Sequence, residues 1–202
     1  MKRKIEIAAA IILALFVVTG CQKQEETPKK SEQKKTEASE ELLSGTHHAE
    51  IQVKDYGTIT VELDADTAPI TVTNFVNLAK DGFYDNLTFH RIMDGFMIQG
   101  GDPNGNGTGG ADQTIKGEFS SNGVENEISH TRGTISMARA QDPDSASSQF
   151  FIVQEDSDYL DGNYAAFGHV TSGMEIVDQI CKDVPVEDDN GTVKAENQPV
   201  IE

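Results

Sequence analysis

The sequence predicts a mainly β domain, folded as a closed antiparallel barrel and capped by two α-helices. Three observations predict it. Apolar and polar residues alternate through a series of short segments, loops rich in Gly, Asn, Asp and Ser separate those segments, and only two stretches place apolar residues at helical spacing.

Ile51 and Val53, then Ile59, Val61 and Leu63, alternate on either side of Asp55-Tyr56-Gly57 and read as a β-hairpin beyond His48. Ala68-Pro69 opens a stretch with Ile70, Val72, Phe75, Val76 and Leu78 at helical spacing, which Gly82 closes after Lys80, so a helix follows. Short β-type runs come next at residues 88–92, 97–99, 134–137, 149–153 and 166–170. Residues 173–182 carry Met174, Ile176, Val177 and Ile180 on one helical face and read as the second helix. The sequence has no internal repeat.

The domain is expected over residues 46–202. Before it, residues 1–20 combine a basic start, Met-Lys-Arg-Lys, with an apolar run over residues 7–18 and the small pair Thr19-Gly20 ahead of Cys21, the pattern of an export signal. The run falls short of the roughly 20 residues a membrane-spanning helix needs, and Glu6 blocks its extension. Val18-Thr19-Gly20-Cys21 resembles the bacterial lipobox, although Leu is more usual than Val at its first position. The resemblance implies diacylglyceryl transfer to the Cys21 sulfur and cleavage before it. Two acyl chains, each buried CH₂ contributing about 0.8 kcal/mol, hold a protein stably where one does not. The expected location is extracytoplasmic, on the cell membrane of a bacterium of the Gram-positive kind. Residues 21–45 then form an acylated cysteine and a solvated tether, because Lys, Glu, Gln, Ser and Thr cannot bury enough surface to offset their ordering entropy. Cys181 is the only other cysteine, so acylation of Cys21 excludes an internal disulfide and leaves Cys181 as a core thiol on the second helix.

Composition and motifs exclude several functions. With 34 Asp/Glu against 16 Lys/Arg the formal charge is −18, and residues 46–202, with 27 acidic and 8 basic residues, carry −19 by themselves, so the domain repels nucleic acid. Gly105-Asn106-Gly107-Thr108-Gly109-Gly110 matches the spacing of a dinucleotide-binding loop but lacks the strand before it and the helix after it. It reads as a tight loop whose glycines let the backbone approach a ligand. The five histidines follow no zinc-binding spacing, Ser147-Ser148-Gln149 lacks the glycines of a nucleophile elbow, and Asp188-Asp189-Asn190-Gly191 reads as a plain turn rather than a calcium loop. No metal or cofactor is expected.

The informative stretch runs from Phe89-His90-Arg91 through Gly95-Phe96-Met97-Ile98-Gln99-Gly100-Gly101-Asp102. With Asn106-Gly107-Thr108-Gly109-Gly110, Ser136-Met137-Ala138, Ser148-Gln149-Phe150-Phe151, Leu160-Asp161-Gly162 and Phe167-Gly168, it closely resembles the signature blocks of cyclophilins, in family order over residues 48–202. The resemblance implies an eight-stranded barrel and peptidyl-prolyl cis-trans isomerase activity. It assigns Arg91 and Gln99 as the polar catalytic groups and Phe96, Met97, Phe151 and Leu160 as the proline pocket. Ala138 and Arg139 then hold the residue before proline through their backbone, and Gln149, Tyr159 and Tyr164 complete the substrate site. His90 and His130 match family positions as structural or rim residues. Three positions depart from common members of the family: Tyr159 replaces Trp, which puts tight cyclosporin binding in doubt, Arg139 replaces Asn, and Tyr164 replaces His. The final residues, Pro199-Val200-Ile201-Glu202, fall where the family's last strand begins, so that strand is expected to be short or cut off.

The residue types suit the chemistry. Peptide rotation meets a barrier of about 18 to 20 kcal/mol because the nitrogen lone pair is delocalised into the carbonyl. In the twisted state the pair localises on nitrogen and becomes an acceptor, so a fixed guanidinium donor favours that state over either planar one. The expected partners are proline-containing unfolded or surface polypeptides, met by a monomer anchored to the membrane by lipid. The rival readings are a proline-peptide-binding adhesin or holdase with little catalysis, which keeps the same pocket, and a two-lobed solute-binding lipoprotein, which needs a longer chain. Alternation also places Phe89 and Arg91 on one strand face, and Phe150 and Phe151 on opposite faces.

Overall fold

The structure, a computed structural model, describes residues 41–202; the leader, Cys21 and the tether as far as residue 40 lie outside the described residues. The sequence-predicted hairpin is β1 (Thr46–Val53) and β2 (Gly57–Asp64), paired from Thr46 opposite Asp64 to Val53 opposite Gly57. Its turn uses positive φ at Asp55 and Gly57. The apolar members of both strands, Ile51, Val53, Ile59, Val61 and Leu63, face inward and are buried.

Helix α1 (Pro69–Lys80) starts on proline, whose missing N–H costs nothing there. Its next two N–H groups, on Ile70 and Thr71, donate to the buried carboxylate of Glu118 at 3.0 and 2.7 Å, which also offsets the positive end of the helix dipole. Five short strands follow: β3 (Phe89–Met93), β4 (Met97–Gly100), β5 (Thr134–Met137), β6 (Phe150–Val153) and β7 (Ala166–Ser172). Helix α2 (Met174–Asp183) comes last and turns Val177, Ile180 and Cys181 into the core. Burial pushes the Cys181 thiol up to about 12, so it is an inert core group.

The expected closed eight-stranded barrel is not formed. The sheet has seven antiparallel strands in the order β1-β2-β7-β5-β6-β4-β3, curved into an open half-barrel with β1 and β3 as its edges. The C-terminal residues touch both edges. Glu202 N–H donates to Gln52 O at 2.9 Å on one side, and Phe89 N–H to Pro199 O at 3.0 Å on the other. Residues 199–202 make isolated bridges, Val53 to Ile201 and Thr88 to Val200, rather than a ladder.

Before β1, residues drawn as tether are already fastened to the domain. Leu43 N–H donates to Thr73 Oγ1 at 2.8 Å and its side chain packs against the core, while Gly45 N–H reaches Asp66 Oδ1 at 2.7 Å. Leu43 is apolar enough to hold this end of the chain down.

Candidate active site

Alternation splits β4 and β6 between two apolar clusters. Ile98, Phe150 and Ile152 point into the main core, while Met97, Phe151 and Val153 point to the opposite face and form a second cluster with Leu160. Met93, Phe96, Ala138 and Tyr164 pack around that second cluster, half-exposed. The expected opposition of Phe150 and Phe151 is therefore present.

The expected sharing of a face by Phe89 and Arg91 is not. Phe89 pairs with Gly100 but Arg91 pairs with Gln99, a register shift that makes His90 an extra residue on β3. The bulge sends Phe89 inward to join Ile92 and Ile98, and leaves Arg91 and Met93 on the site face. A one-residue bulge reverses the facing of everything beyond it, which is why strict alternation fails at this strand.

Arg91, Phe96, Met97, Gln99, Ala138, Arg139, Phe151, Leu160 and Tyr164 line one cavity of about 220 Å³. A second cavity of about 270 Å³ adjoins it through Gln99, Ala138 and Arg139, and Gln149 lies there beside Gly109 and Ser147. Tyr159 lines neither. It is 66% exposed at the rim, its ring 6.0 Å from that of Phe96.

The guanidinium of Arg91 is fixed from three sides. Nε–H donates to Asn190 O at 2.8 Å and Nη1–H to Gln99 Oε1 at 3.2 Å. Nη2–H groups reach Met93 Sδ at 3.0 Å and Asn190 Oδ1 at 3.2 Å. Arginine carries five N–H donors, so among the described residues one, on Nη1, is left over. Burial lowers the Arg91 pKa, opposed by Tyr164 and Asp188, but a guanidinium stays charged at any physiological pH. Gln99 has little freedom to do anything but orient the arginine, because its Nε2–H donates to Gln149 Oε1 at 2.9 Å, and Gln149 Nε2–H donates in turn to Gly109 O at 2.7 Å. The glycine-rich loop thus supplies a carbonyl to the network. Asp102 holds it in place by accepting the N–H groups of Asn104, Asn106 and Gly107 at 2.8, 3.0 and 2.6 Å.

Arg139 closes the other wall. Its guanidinium lies 4.8 Å from the Tyr164 ring centre and 5.2 Å from that of Phe119, and donates to Asn163 O at 3.0 and 2.9 Å and to Ala140 O at 2.8 Å. Its backbone N–H and C=O make no hydrogen bond among the described residues, so they are available to an extended peptide.

Both histidines lie behind the site. His130 is fully buried between Asp161, whose Oδ1 is 2.8 Å from Nδ1, and Ser136, whose Oγ is 2.9 Å from Nε2, and its ring stacks on Phe151 at 6.0 Å. Burial lowers its pKa, opposed by Asp161. Burial also lowers that of His90, which the bulge places beneath the glycine loop. His130 is thus bonded into the fold through both ring nitrogens, whereas those of His90 are buried without a hydrogen-bond partner among the described residues. Sequence reasoning missed Asn190, Phe119 and Asn163. Asn190 carried only a turn signal, and it is 99 residues away from the arginine it holds.

A fixed guanidinium, a cavity walled in part by Phe96, Met97, Phe151 and Leu160, and an open backbone edge lie side by side. Residues 48–201 match the family model described as cyclophilin type peptidyl-prolyl cis-trans isomerase/CLD. A peptidyl-prolyl cis-trans isomerase of Helicobacter pylori is 45% identical over 146 residues, 71% of this chain and 86% of the relative. Peptidyl-prolyl cis-trans isomerase B of Bacillus subtilis is 49% identical over 123 residues, 61% of this chain and 82% of the relative. Among solved structures, a cyclophilin type peptidyl-prolyl cis-trans isomerase of Cryptosporidium parvum, crystallised in the presence of the dipeptide Ala-Pro, superposes with a TM-score of 0.67 at 31% identity, covering 77% of this chain and 95% of that one. The chain belongs to the cyclophilin-type peptidyl-prolyl cis-trans isomerase family, and it is an isomerase.

Proposed function

We propose that the chain isomerises X-Pro bonds in exported or surface proteins, with Arg91 as the donor to the twisted imide. The observation that carries the mechanism is the Arg91 guanidinium, fixed by Gln99 and Asn190 beside the cavity with one Nη1–H left over. The proline ring fills the space between Phe96, Met97, Phe151 and Leu160, while the backbone of Arg139 holds the preceding residue. With the ring held, rotation becomes a swing of the preceding carbonyl, and the nitrogen pyramidalises toward the arginine. No covalent bond forms or breaks.

One such donor accounts for about 2.7 to 4 kcal/mol of barrier, or 10² to 10³ in rate. The pocket supplies the remainder by fixing the ring and by excluding water that would screen the charge. In a protease-coupled assay the protein accelerates cis-to-trans conversion of an X-Pro peptide, and Arg91→Ala lowers kcat/KM by about 10² to 10³. An unchanged rate in that variant contradicts the mechanism and favours a module that only binds proline peptides.

The export and anchoring reading rests on the basic start, the apolar run and Val18-Thr19-Gly20-Cys21. Cys21→Ala then releases the protein from cells into the medium, and continued retention on the membrane contradicts lipid anchoring.

A further inference from the structure

We infer that the turn at residues 188–192 is a positioning clamp for the Arg91 guanidinium, so that a loop outside the pocket helps set the rate of isomerisation. The inference rests on Arg91 being the transition-state donor.

The Asp188 carboxylate builds the turn. Its Oδ1 accepts the N–H groups of Asn190 and Thr192 at 3.0 and 3.1 Å, and its Oδ2 accepts the Thr192 hydroxyl at 2.9 Å. These bonds, led by those from Thr192, hold the carboxyl below the usual range. Gly191 N–H returns to Asp188 O at 3.0 Å, and Glu187 N–H donates to Thr192 O at 2.7 Å to close the base.

The turn is then docked on the edge of β3, on either side of the arginine. Ile92 N–H donates to Gly191 O at 2.8 Å, and Val193 N–H to His90 O at 3.0 Å. Gly191 has φ of +80°, and a Cβ there would run into the Ile92 carbonyl, so only glycine permits this approach. The result is an Asn190 that offers two acceptors to one planar group, its carbonyl to Nε–H and its Oδ1 to Nη2–H.

Fixing two donors of a planar fork fixes the plane, and with it the direction of the N–H left for substrate. A turn that merely covered the β3 edge would need the bonds to His90 and Ile92, but not the two from Asn190. Asp188 also acts on Arg91 through its charge, opposing the lowering of the arginine's pKa by burial, so charge and position have to be separated by experiment.

The test measures kcat/KM and peptide Kd by exchange NMR on an X-Pro peptide, in wild-type and Arg91→Ala backgrounds. Asp188→Ala lowers kcat/KM about tenfold with Kd unchanged, because a misplacement of about 1 Å already costs up to 10²-fold. Asp188→Asn loses the same charge but keeps an oxygen for the two N–H groups, and it retains most of the rate. Asn190→Ala keeps the backbone acceptor and falls by less than Asp188→Ala. In the Arg91→Ala background Asp188→Ala has no further effect, since the two residues act as a unit.

Three results overturn the clamp while leaving Arg91 as the donor. They are a wild-type rate in Asp188→Ala, equal losses in Asp188→Ala and Asp188→Asn, or a loss of the same size in both backgrounds accompanied by weaker peptide binding. A wild-type rate in Arg91→Ala alone overturns the reading of the arginine itself, and the clamp with it.

Discussion

Phe150 and Phe151 are adjacent on β6 and almost equally hidden, 1% and 5% exposed, yet they belong to different parts of the molecule. Phe150 is enclosed by rings. Phe75, Tyr84 and Phe89 meet it edge-on at 5.5, 5.6 and 6.0 Å. Phe151 has His130 stacked on one face and Tyr164 across its edge, and it opens on the cavity. One strand therefore divides its work by a period of two. The inner face holds the fold, and the outer face lines a cavity of about 220 Å³, the space the proposed function gives to a proline ring.

The comparison breaks most visibly in stability. Phe150→Ala leaves a cavity among packed rings and lowers the unfolding free energy by about 3 to 5 kcal/mol, read from chemical denaturation. Phe151→Ala costs less stability, because its pocket side already faces open space. Its effect appears as peptide affinity weakened roughly tenfold, the equivalent of about 1.4 kcal/mol of lost contact. If both variants lose stability equally and binding not at all, the two faces are not divided as the structure divides them.

A smaller effect sharpens the same boundary. His130 links the faces, bonded to Ser136 of β5 and stacked beneath Phe151. Its folded-state pKa lies below the ordinary 6.5, so the unfolded chain binds the proton first as the pH falls. The stability it contributes is complete above about pH 6.5 and declines as the pH falls through the folded-state value. His90 shifts the same way and adds to the decline. Thermal melting points between pH 7.5 and 5 should therefore fall before the carboxylates titrate, and a flat profile contradicts the burial of these rings as neutral groups.

Much of this division was legible in the sequence, because alternation is a local signal. The strands, both helices and the opposition of Phe150 and Phe151 follow from spacing alone, and the family blocks bring Arg91, Gln99, Phe96, Met97, Phe151, Leu160, Ala138, Arg139 and Tyr164 to one cavity. Three features were not legible, each for a physical reason. The His90 bulge inserts a residue without any change in composition, so the period slips unannounced and Phe89 moves to the core. The barrel was expected to close, but the segment that spans its edges makes one isolated bridge on each side rather than a ladder, and that pairing depends on two strands far away in the chain. The hold on Arg91 by Asn190, and that of Asn163 and Phe119 on Arg139, join loops that only the fold brings together. Arg139, where the resembling family commonly has Asn, also offers more than a backbone contact, since it lines both cavities and its guanidinium packs on Tyr164 and Phe119.

The central claim is that the outer face divides its own work further, the apolar pocket binding the ring and the held guanidinium lowering the barrier. Arg91→Lys tests it most directly, because lysine keeps the positive charge but lacks the planar fork that Gln99 and Asn190 grip. Exchange NMR on a proline peptide reads affinity and cis–trans rate in one sample. The expected result is a peptide Kd close to wild type with a rate reduced by about 10². A wild-type rate in Arg91→Lys, or a rate that falls only in proportion to lost peptide binding, would contradict it.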